Sequence, residues 1–406
     1  MTEVVLGVSG GIAAYKACEL LRLFTESGHR VRVVPTAAAL TFVGAPTWAA
    51  LSGQPVSAEV WDDVHEVPHV RLGQHADLVV VAPATADLLA KAATGQADDL
   101  LTNTLLTARC PVVYAPAMHT EMWEHPATTD NVATLRRRGA IVIEPAVGRL
   151  TGADTGKGRL PDPAEIFAVA RRVLARGVPR ADLAGRHIVV TAGGTREPID
   201  PVRFIGNRSS GKQGYAFARA AVARGARVTI VSANVALPNP AGADVVRVGT
   251  TEELRLATLK VADEADVVVM AAAPCDFRPA QYEAEKIKKE PGAGAPTLHL
   301  VTNPDIAAEL GARKRPGQVL VAFAAETAAE PVALANAREK LLRKRADLIV
   351  VNEVGADRTF GADDNAAVVL GAEIEPTRIG QRSKDDLADA VLDLVTARLS
   401  HASDAG

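Results

Sequence analysis

Residues 191–214, TAGGTREPIDPVRFIGNRSSGKQG, follow an apolar run at 187–190 and lead into a helical pattern at 215–223. A strand that empties through glycines into a helix start leaves backbone N–H groups unpaired, and the helix dipole adds positive potential there. The chemistry this permits is the holding of an anion, a phosphate or nucleotide above all. The glycine spacing is neither G-x-G-x-x-G nor a Walker P-loop, which weakens both common nucleotide readings. A second glycine turn, Ser9-Gly10-Gly11, follows apolar residues 4–8 and is open either to the same ligand class or to a tight turn alone. Cations able to meet a phosphate occur in EKIKKE as Lys286, Lys288 and Lys289, although such a run is usually a solvated face. Lys340 and Lys344 are four apart, on one face of a helix, so one ligand can meet both. His69 can move a proton near neutral pH. By itself, in a segment that also holds His65 and His75, it reads better as a surface-loop histidine.

The elements that must position these groups are visible in the apolar periodicity. Residues 4–8 form a short strand, and Ala17, Leu20, Leu21 and Phe24 then make the stripe of a helix lying on a sheet. Gly28 stops that helix, and residues 31–34 make the next strand. Such an opening is a doubly wound unit, with ligand expected at the carboxyl end of its first strand. ADLVVVAPA (76–84), ADVVVMAAAP (265–274) and ADLIVVNEV (346–354) each run from a helix end into a continuously apolar strand. Continuous apolar strands belong to parallel sheets covered on both faces. The expected fold is α/β: two doubly wound, Rossmann-like three-layer domains with mainly parallel sheets. Residues 166–174 are helical and ARGVPRADLAGR (175–186) is the joint, which places the domains at 1–185 and 186–406.

A chain of 406 residues is too long for one ordinary core. Its 48% hydrophobic and 4% aromatic content is that of a soluble α/β protein. A net charge of -3 gives no electrostatic case for nucleic acid or a membrane. No apolar run reaches spanning length, and MTEVVLGVSGG lacks a basic leader, so no signal peptide is expected. The three scattered cysteines, Cys18, Cys110 and Cys275, argue against a disulfide framework or a cysteine zinc site and fit a reducing cytoplasm.

GVSGGIAAYK, VPHVRLGQHADLVVVAPATADLLAKAATGQADDLLT and APAMHTEMW occur in this order, and together they make the first half resemble the flavin-dependent cysteine decarboxylase family. The resemblance implies FMN as cofactor, shared between subunits. Ser9, Gly10 and Gly11 would face its phosphate, and Pro83, Ala84 and Thr85 would line the isoalloxazine, although a Thr at a strand end is by itself more often a helix cap. It also implies His69 as the catalytic histidine, in a reaction where a thioaldehyde accepts the electrons left by departing CO2. Two positions depart from the family. PAMHTEMW carries His119, after Met118, where the family has an Asn that grips the substrate carboxylate. GRLTGADTGKGRL carries Thr151 where the family's substrate flap has a proton-donating Cys, so Asp154 or His119 must supply that proton.

Residues 187–380 resemble the phosphopantothenate–cysteine ligase family, and the fused pair resembles the bifunctional enzymes of coenzyme A synthesis. The resemblance implies that CTP activates 4′-phosphopantothenate as an acyl-cytidylate and that the amine of cysteine displaces CMP. Asn207 would handle the acyl intermediate; on its own it is equally a turn former. Asp276, just past a strand end, would serve the nucleotide, and Lys286 would serve the step that activates the carboxylate with the nucleotide. TNPDIAAEL reads as a helix start with Asn303 as cap. Pro304, Asp305, Ile306 and Ala307 would meet CTP through the backbone, with Phe323, Lys340 and Lys344 as further contacts and Asn352 as a weaker one. Mg²⁺ is the expected divalent ion, and no residue is nominated as its ligand.

The leading expectation is an enzyme making 4′-phosphopantetheine from 4′-phosphopantothenate and cysteine. The alternatives are a flavin-binding scaffold, or a ligase carrying the first domain as an assembly platform. An NAD-dependent dehydrogenase lacks its glycine fingerprint. The resemblance further implies a homo-oligomer, a dodecamer with flavin shared between subunits and ligase halves paired as dimers.

Overall fold

The computed structural model describes residues 2–56, 68–150, 154–177, 181–288, 297–326, 330–353, 362–372 and 374–404. It divides into two units, Met1–Arg180 and Ala181–Gly406. Residues 181–186 fold with the second unit, because Leu183 is buried in its core and Asp182 pairs with Arg224 at 2.6 Å.

In the first unit β1 (Glu3–Val8), β2 (Arg30–Pro35), β3 (Leu78–Ala84), β4 (Val112–Pro116) and β5 (Ile141–Val142) form one parallel sheet in the order β2-β1-β3-β4-β5. Val5, Val79 and Val81 share a core with Leu88, Leu89, Leu101 and Val132 from the helices Ala86–Thr94, Leu100–Thr107 and Pro126–Arg137. Leu6, Val8 and Val80, which alternate with them, are buried as well, so the sheet is covered on both faces. Helix Ala17–Glu26 buries its predicted stripe, with Phe24 edge-on to Phe167 of helix Pro163–Arg176 at 5.0 Å. Outside the sheet, β6 (Ala146–Arg149) and β7 (Thr155–Arg159) make an antiparallel ribbon. The strand order reverses between β1 and β3, and ligands of open α/β sheets sit beyond the carboxyl ends at such a reversal.

The second unit contains β8 (His187–Gly193), β9 (Arg196–Pro198), β10 (Phe204–Gly206), β11 (Arg227–Ala233), β12 (Ala243–Val248) and β13 (Val267–Met270). These are followed by β14 (Phe277–Pro279), β15 (Leu300–Thr302), β16 (Val319–Glu326), β17 (Leu348–Glu353), β18 (Asp364–Gly371) and β19 (Ile374–Ser383). Its main sheet runs β12-β11-β8-β13-β16-β17-β18-β19, parallel through β17 and antiparallel at the last two strands. Alternate residues feed opposite cores. Ile188, Val190, Val267, Val269, Val319 and Val321 pack with Tyr215, Phe217 and Leu387, on helices Lys212–Ala223 and Lys384–Asp404. Val189, Val268, Leu320 and Ile349 pack with Leu254, Ile306 and Leu341, on helices Thr251–Ala262, Ile306–Arg313 and Glu330–Arg343. The result is three layers, with the strand order reversing between β8 and β13.

One local expectation is corrected. Asn303 does not cap the helix after it: Asp305 does, accepting the Ala308 N–H at 3.1 Å. Asn303 instead faces the preceding loop, where its Nδ2 donates to the Cys275 carbonyl at 2.9 Å. A carboxylate at the cap also complements the helix dipole, which an amide does not.

Candidate functional site

In the first unit a cavity of about 610 Å³ lies beyond the β1/β3 reversal, lined by Gly10, Gly11, Pro83, Thr85, Met118 and His119 among others. Gly10 is there because a Cβ would stand 2.3 Å from the Cβ of Ala38. Ser9 is placed differently from the expectation that it faces a phosphate. It is buried, its Oγ donates to the Pro83 carbonyl at 2.8 Å, and it accepts the Thr85 N–H at 3.0 Å. Its hydroxyl therefore ties β1 to the end of β3. Ala84 is also turned away, fully buried with Leu88 and Leu89. Thr85 both lines the cavity and caps helix Ala86–Thr94, accepting the Leu88 N–H at 3.4 Å. His119 is exposed on the cavity wall.

His69 does not line this cavity. It lies on helix Pro68–His75, which the Thr107 hydroxyl holds through the His69 carbonyl at 2.7 Å. Its Nδ1 is buried and has no hydrogen-bond partner among the described residues. Thr151 falls outside the described residues, and Asp154 is exposed next to β7. Sequence reading missed Lys16, Arg149 and Arg159, which also line the cavity. All three stand in the quoted motifs GVSGGIAAYK and GRLTGADTGKGRL, but nothing in their spacing says they converge.

In the second unit the groups gather beyond β8 and β13. The Asn207 amide donates to the Pro274 carbonyl at 2.8 Å, and its own carbonyl lies where a Cβ on Gly194 would come within 2.5 Å. Asp276 is exposed, and its carbonyl receives the Asn303 N–H at 2.8 Å. Asn207 and Asn303 therefore both hold one short loop, 274–276, which carries Asp276, and Asn303 leads directly into Pro304, Asp305 and helix Ile306–Arg313, which begins with Ile306 and Ala307. The loop is braced from below by the Thr195 hydroxyl, which accepts the Cys275 N–H at 2.9 Å.

Lys286 and Lys288 are exposed, and Lys289 lies outside the described residues. The segment carrying them is fastened through Ile287, whose N–H reaches Asp200 at 3.2 Å and whose carbonyl receives Arg203 at 2.6 Å. Burial pushes the Asp200 carboxyl up, but the N–H groups of Val202, Arg203 and Ile287 outweigh it and hold the group below the usual carboxylate range. Sequence reading missed this anchor. It also missed Arg278, which donates to Asn303 Oδ1 at 2.8 Å.

Lys340 and Lys344 do not converge as bare cations. Lys340 pairs with Glu326 at 2.6 Å and Lys344 with Asp305 at 3.2 Å. Phe323 points into the core, edge-on to Phe217 at 5.8 Å. Asn352 is buried at the end of β17, its Oδ1 without a hydrogen-bond partner among the described residues. No group of three or more His, Cys, Asp or Glu suited to a metal ion occurs among the described residues. No described helix is long and apolar enough to cross a membrane.

Comparison with known proteins follows the same division. The sequence model of the flavoprotein family matches residues 1–174, and that of the DNA/pantothenate metabolism flavoprotein C-terminal domain matches residues 183–399. The coenzyme A biosynthesis bifunctional protein CoaBC of Mycobacterium bovis is 58% identical over 410 residues, covering 99% of this chain and 98% of its own. The protein of that name from Bacillus subtilis is 42% identical, covering 97% of each chain. A crystal structure of an FMN-dependent cysteine decarboxylase is 35% identical, with a TM-score of 0.38, over 43% of this chain and 98% of its own.

Proposed function

The chain belongs to the bifunctional coenzyme A biosynthesis family, CoaBC, and from that premise we propose how its two units divide the family's two reactions. Ligation of cysteine to 4′-phosphopantothenate falls to the second unit and decarboxylation of the product to the first. The observation that carries the reading is the full-length likeness to the bifunctional proteins.

In ligation, the carboxylate of 4′-phosphopantothenate attacks the α-phosphorus of CTP, and pyrophosphate leaves. The cysteine amine then attacks the acyl carbon, forms the amide and releases CMP. Asn207, held by Pro274 beside Asp276, positions the acyl intermediate. Lys286 brings a cation to the charge that develops on the transferring group. The start of helix Ile306–Arg313 meets the nucleotide through its backbone, and Mg²⁺, where bound, would draw charge off the leaving pyrophosphate.

In decarboxylation, FMN supplies an electron acceptor that is restored within the cycle. The first unit fits this cofactor: the cavity at the β1/β3 reversal has the size of a ligand site, and Gly10 and Gly11 are part of its lining. Met118 and His119 hold the substrate against it. With Thr at 151, a proton donor is needed, and His119 on the cavity wall is better placed than Asp154, which does not line it. His69 moves the thiol proton. Its place off the cavity wall of a single chain, with Nδ1 buried and without a hydrogen-bond partner among the described residues, supports a flavin shared between copies of a homo-oligomer. We take that assembly to be a dodecamer with paired ligase units, working in the cytoplasm.

The test is mass spectrometry of a mixture of the protein with 4′-phosphopantothenate, cysteine, CTP and Mg²⁺. Accumulation of 4′-phosphopantetheine is expected. A mixture that stops at 4′-phosphopantothenoylcysteine removes the decarboxylase half, and no cysteine adduct with either CTP or ATP removes the whole reading.

A further inference from the structure

Three cations, Lys16, Arg149 and Arg159, line the first unit's cavity together with the apolar side chains of Ile12, Met118 and Met122. They come from two separate pieces of structure. Lys16 ends the short helix Ile12–Lys16 that follows the glycine turn, whereas Arg149 and Arg159 end β6 and β7 of the ribbon. The ribbon is fixed beside Arg159. Gly158, at φ +152°, lets β7 approach so closely that a Cβ would stand 2.2 Å from the Met118 carbonyl, and its own carbonyl receives the Met118 N–H at 2.9 Å.

Burial first, and the nearby Arg159 charge second, push the Lys16 ammonium below its ordinary range, with Asp162 and Glu19 acting the other way. Lys16, partly buried, and Arg159, exposed, are like charges on one cavity wall and repel each other, and an anion placed between them attracts both. A phosphate monoester matches this arrangement in charge and in its number of acceptor oxygens.

We propose that Lys16 and Arg159, with Arg149 on the same ribbon, bind the terminal phosphate of the decarboxylase substrate and make the first unit selective for a phosphorylated chain. The proposal rests on the decarboxylase reading. It assigns these cations to the substrate's phosphate and not to the flavin's own.

The experiment uses the full-length protein and its Lys16→Gln and Arg159→Gln variants, with 4′-phosphopantothenoylcysteine and its non-phosphorylated counterpart as substrates. Flavin absorbance is recorded for each preparation. Calorimetry compares 4′-phosphopantetheine with pantetheine as ligands. Each substitution is expected to lower kcat/KM for the phosphorylated substrate by about 10- to 100-fold, mainly through KM. Turnover of the non-phosphorylated substrate and flavin content stay unchanged, and the calorimetric preference for the phosphorylated ligand shrinks by a similar factor. Equal losses on both substrates, or an undiminished phosphate preference, overturn the proposal. Loss of flavin from the variants overturns it too, since the cations would then hold the cofactor's phosphate. If the unaltered protein turns over neither substrate, the decarboxylase reading itself has failed and takes this proposal with it.

Discussion

Lys340 Nζ lies 2.6 Å from Glu326 Oε1, and the glutamate is only 8% exposed at the end of β16. A lysine expected from sequence to meet a nucleotide is thus already holding a nearly buried carboxylate in place. The two roles are separable. Lys340→Met leaves the Glu326 charge without its partner, which costs about 1–3 kcal/mol of stability in the second unit. Adding Glu326→Gln should recover most of that loss, because the stranded charge is gone. If Lys340 also meets CTP, the KM for CTP rises in the single and the double variant alike. Denaturant melts and CTP saturation curves read both effects. A double variant with an ordinary KM confines Lys340 to the ion pair.

Lys286 is exposed, but the segment around it is held by Asp200, which accepts N–H groups from Val202, Arg203 and Ile287. Lys286→Gln is expected to abolish ligation and to leave flavin binding intact. Asp200→Ala removes the three acceptor contacts without touching the lysine, and a misplaced catalytic group can cost up to about 100-fold in rate. The expected signature is therefore a fall in ligation kcat for Asp200→Ala, intermediate between the unaltered protein and Lys286→Gln. Retained ligation in Lys286→Gln would take the residue out of its role.

The sequence disclosed what depends on local pattern. Continuous apolar runs became β3, β13 and β17, and the stripe of Ala17, Leu20, Leu21 and Phe24 is buried as its spacing requires. What it hid depends on distant partners. The Ser9 hydroxyl is engaged by Pro83 and Thr85, 74 and 76 residues away, so a residue in a phosphate-type turn serves strand pairing instead. Asp305 caps in place of Asn303, whose Oδ1 is taken by Arg278 and whose Nδ2 donates to Cys275, 28 residues away. Arg159 reaches the cavity only because the ribbon docks on Met118, and no periodicity encodes that contact.

His69 should be separable from cofactor binding. It lies on helix Pro68–His75, away from the cavity wall of its own chain, with Nδ1 buried and without a hydrogen-bond partner among the described residues. His69→Asn keeps a hydrogen-bonding side chain of similar reach and removes the group that titrates near neutral pH. The purified variant should remain yellow and release no CO2 from 4′-phosphopantothenoylcysteine. Mixing it with a His119→Ala variant after dissociation and reassembly should restore part of the activity if one copy supplies His69 to another copy's cavity. CO2 release at the ordinary rate by His69→Asn alone would assign the proton to a different residue.

Glu144 gives the first unit a pH dependence whose sign follows from its neighbours. Its carboxylate meets Lys157 of β7 and Arg136 of helix Pro126–Arg137, each at 2.7 Å. Burial pushes the carboxyl up, but the hydrogen bonds from Lys157 and Arg136 outweigh burial and hold it below the usual glutamate range. The folded protein therefore binds this proton more weakly than the unfolded chain does. The stabilisation is fully present above the unfolded value, near pH 4.3, and is lost as pH falls through the lowered folded value. The unaltered first unit should accordingly lose stability steeply below about pH 4.5. Glu144→Gln should be less stable at neutral pH by about 1 kcal/mol and should show a shallower acid decline, since its amide has no proton to gain. The pair also ties β7 to that helix, so the variant should weaken binding of the phosphorylated substrate through Arg159 even where it remains folded. Parallel acid melting curves for the two proteins would mean that Glu144 contributes nothing to the pH dependence, whatever its two cations do in the structure.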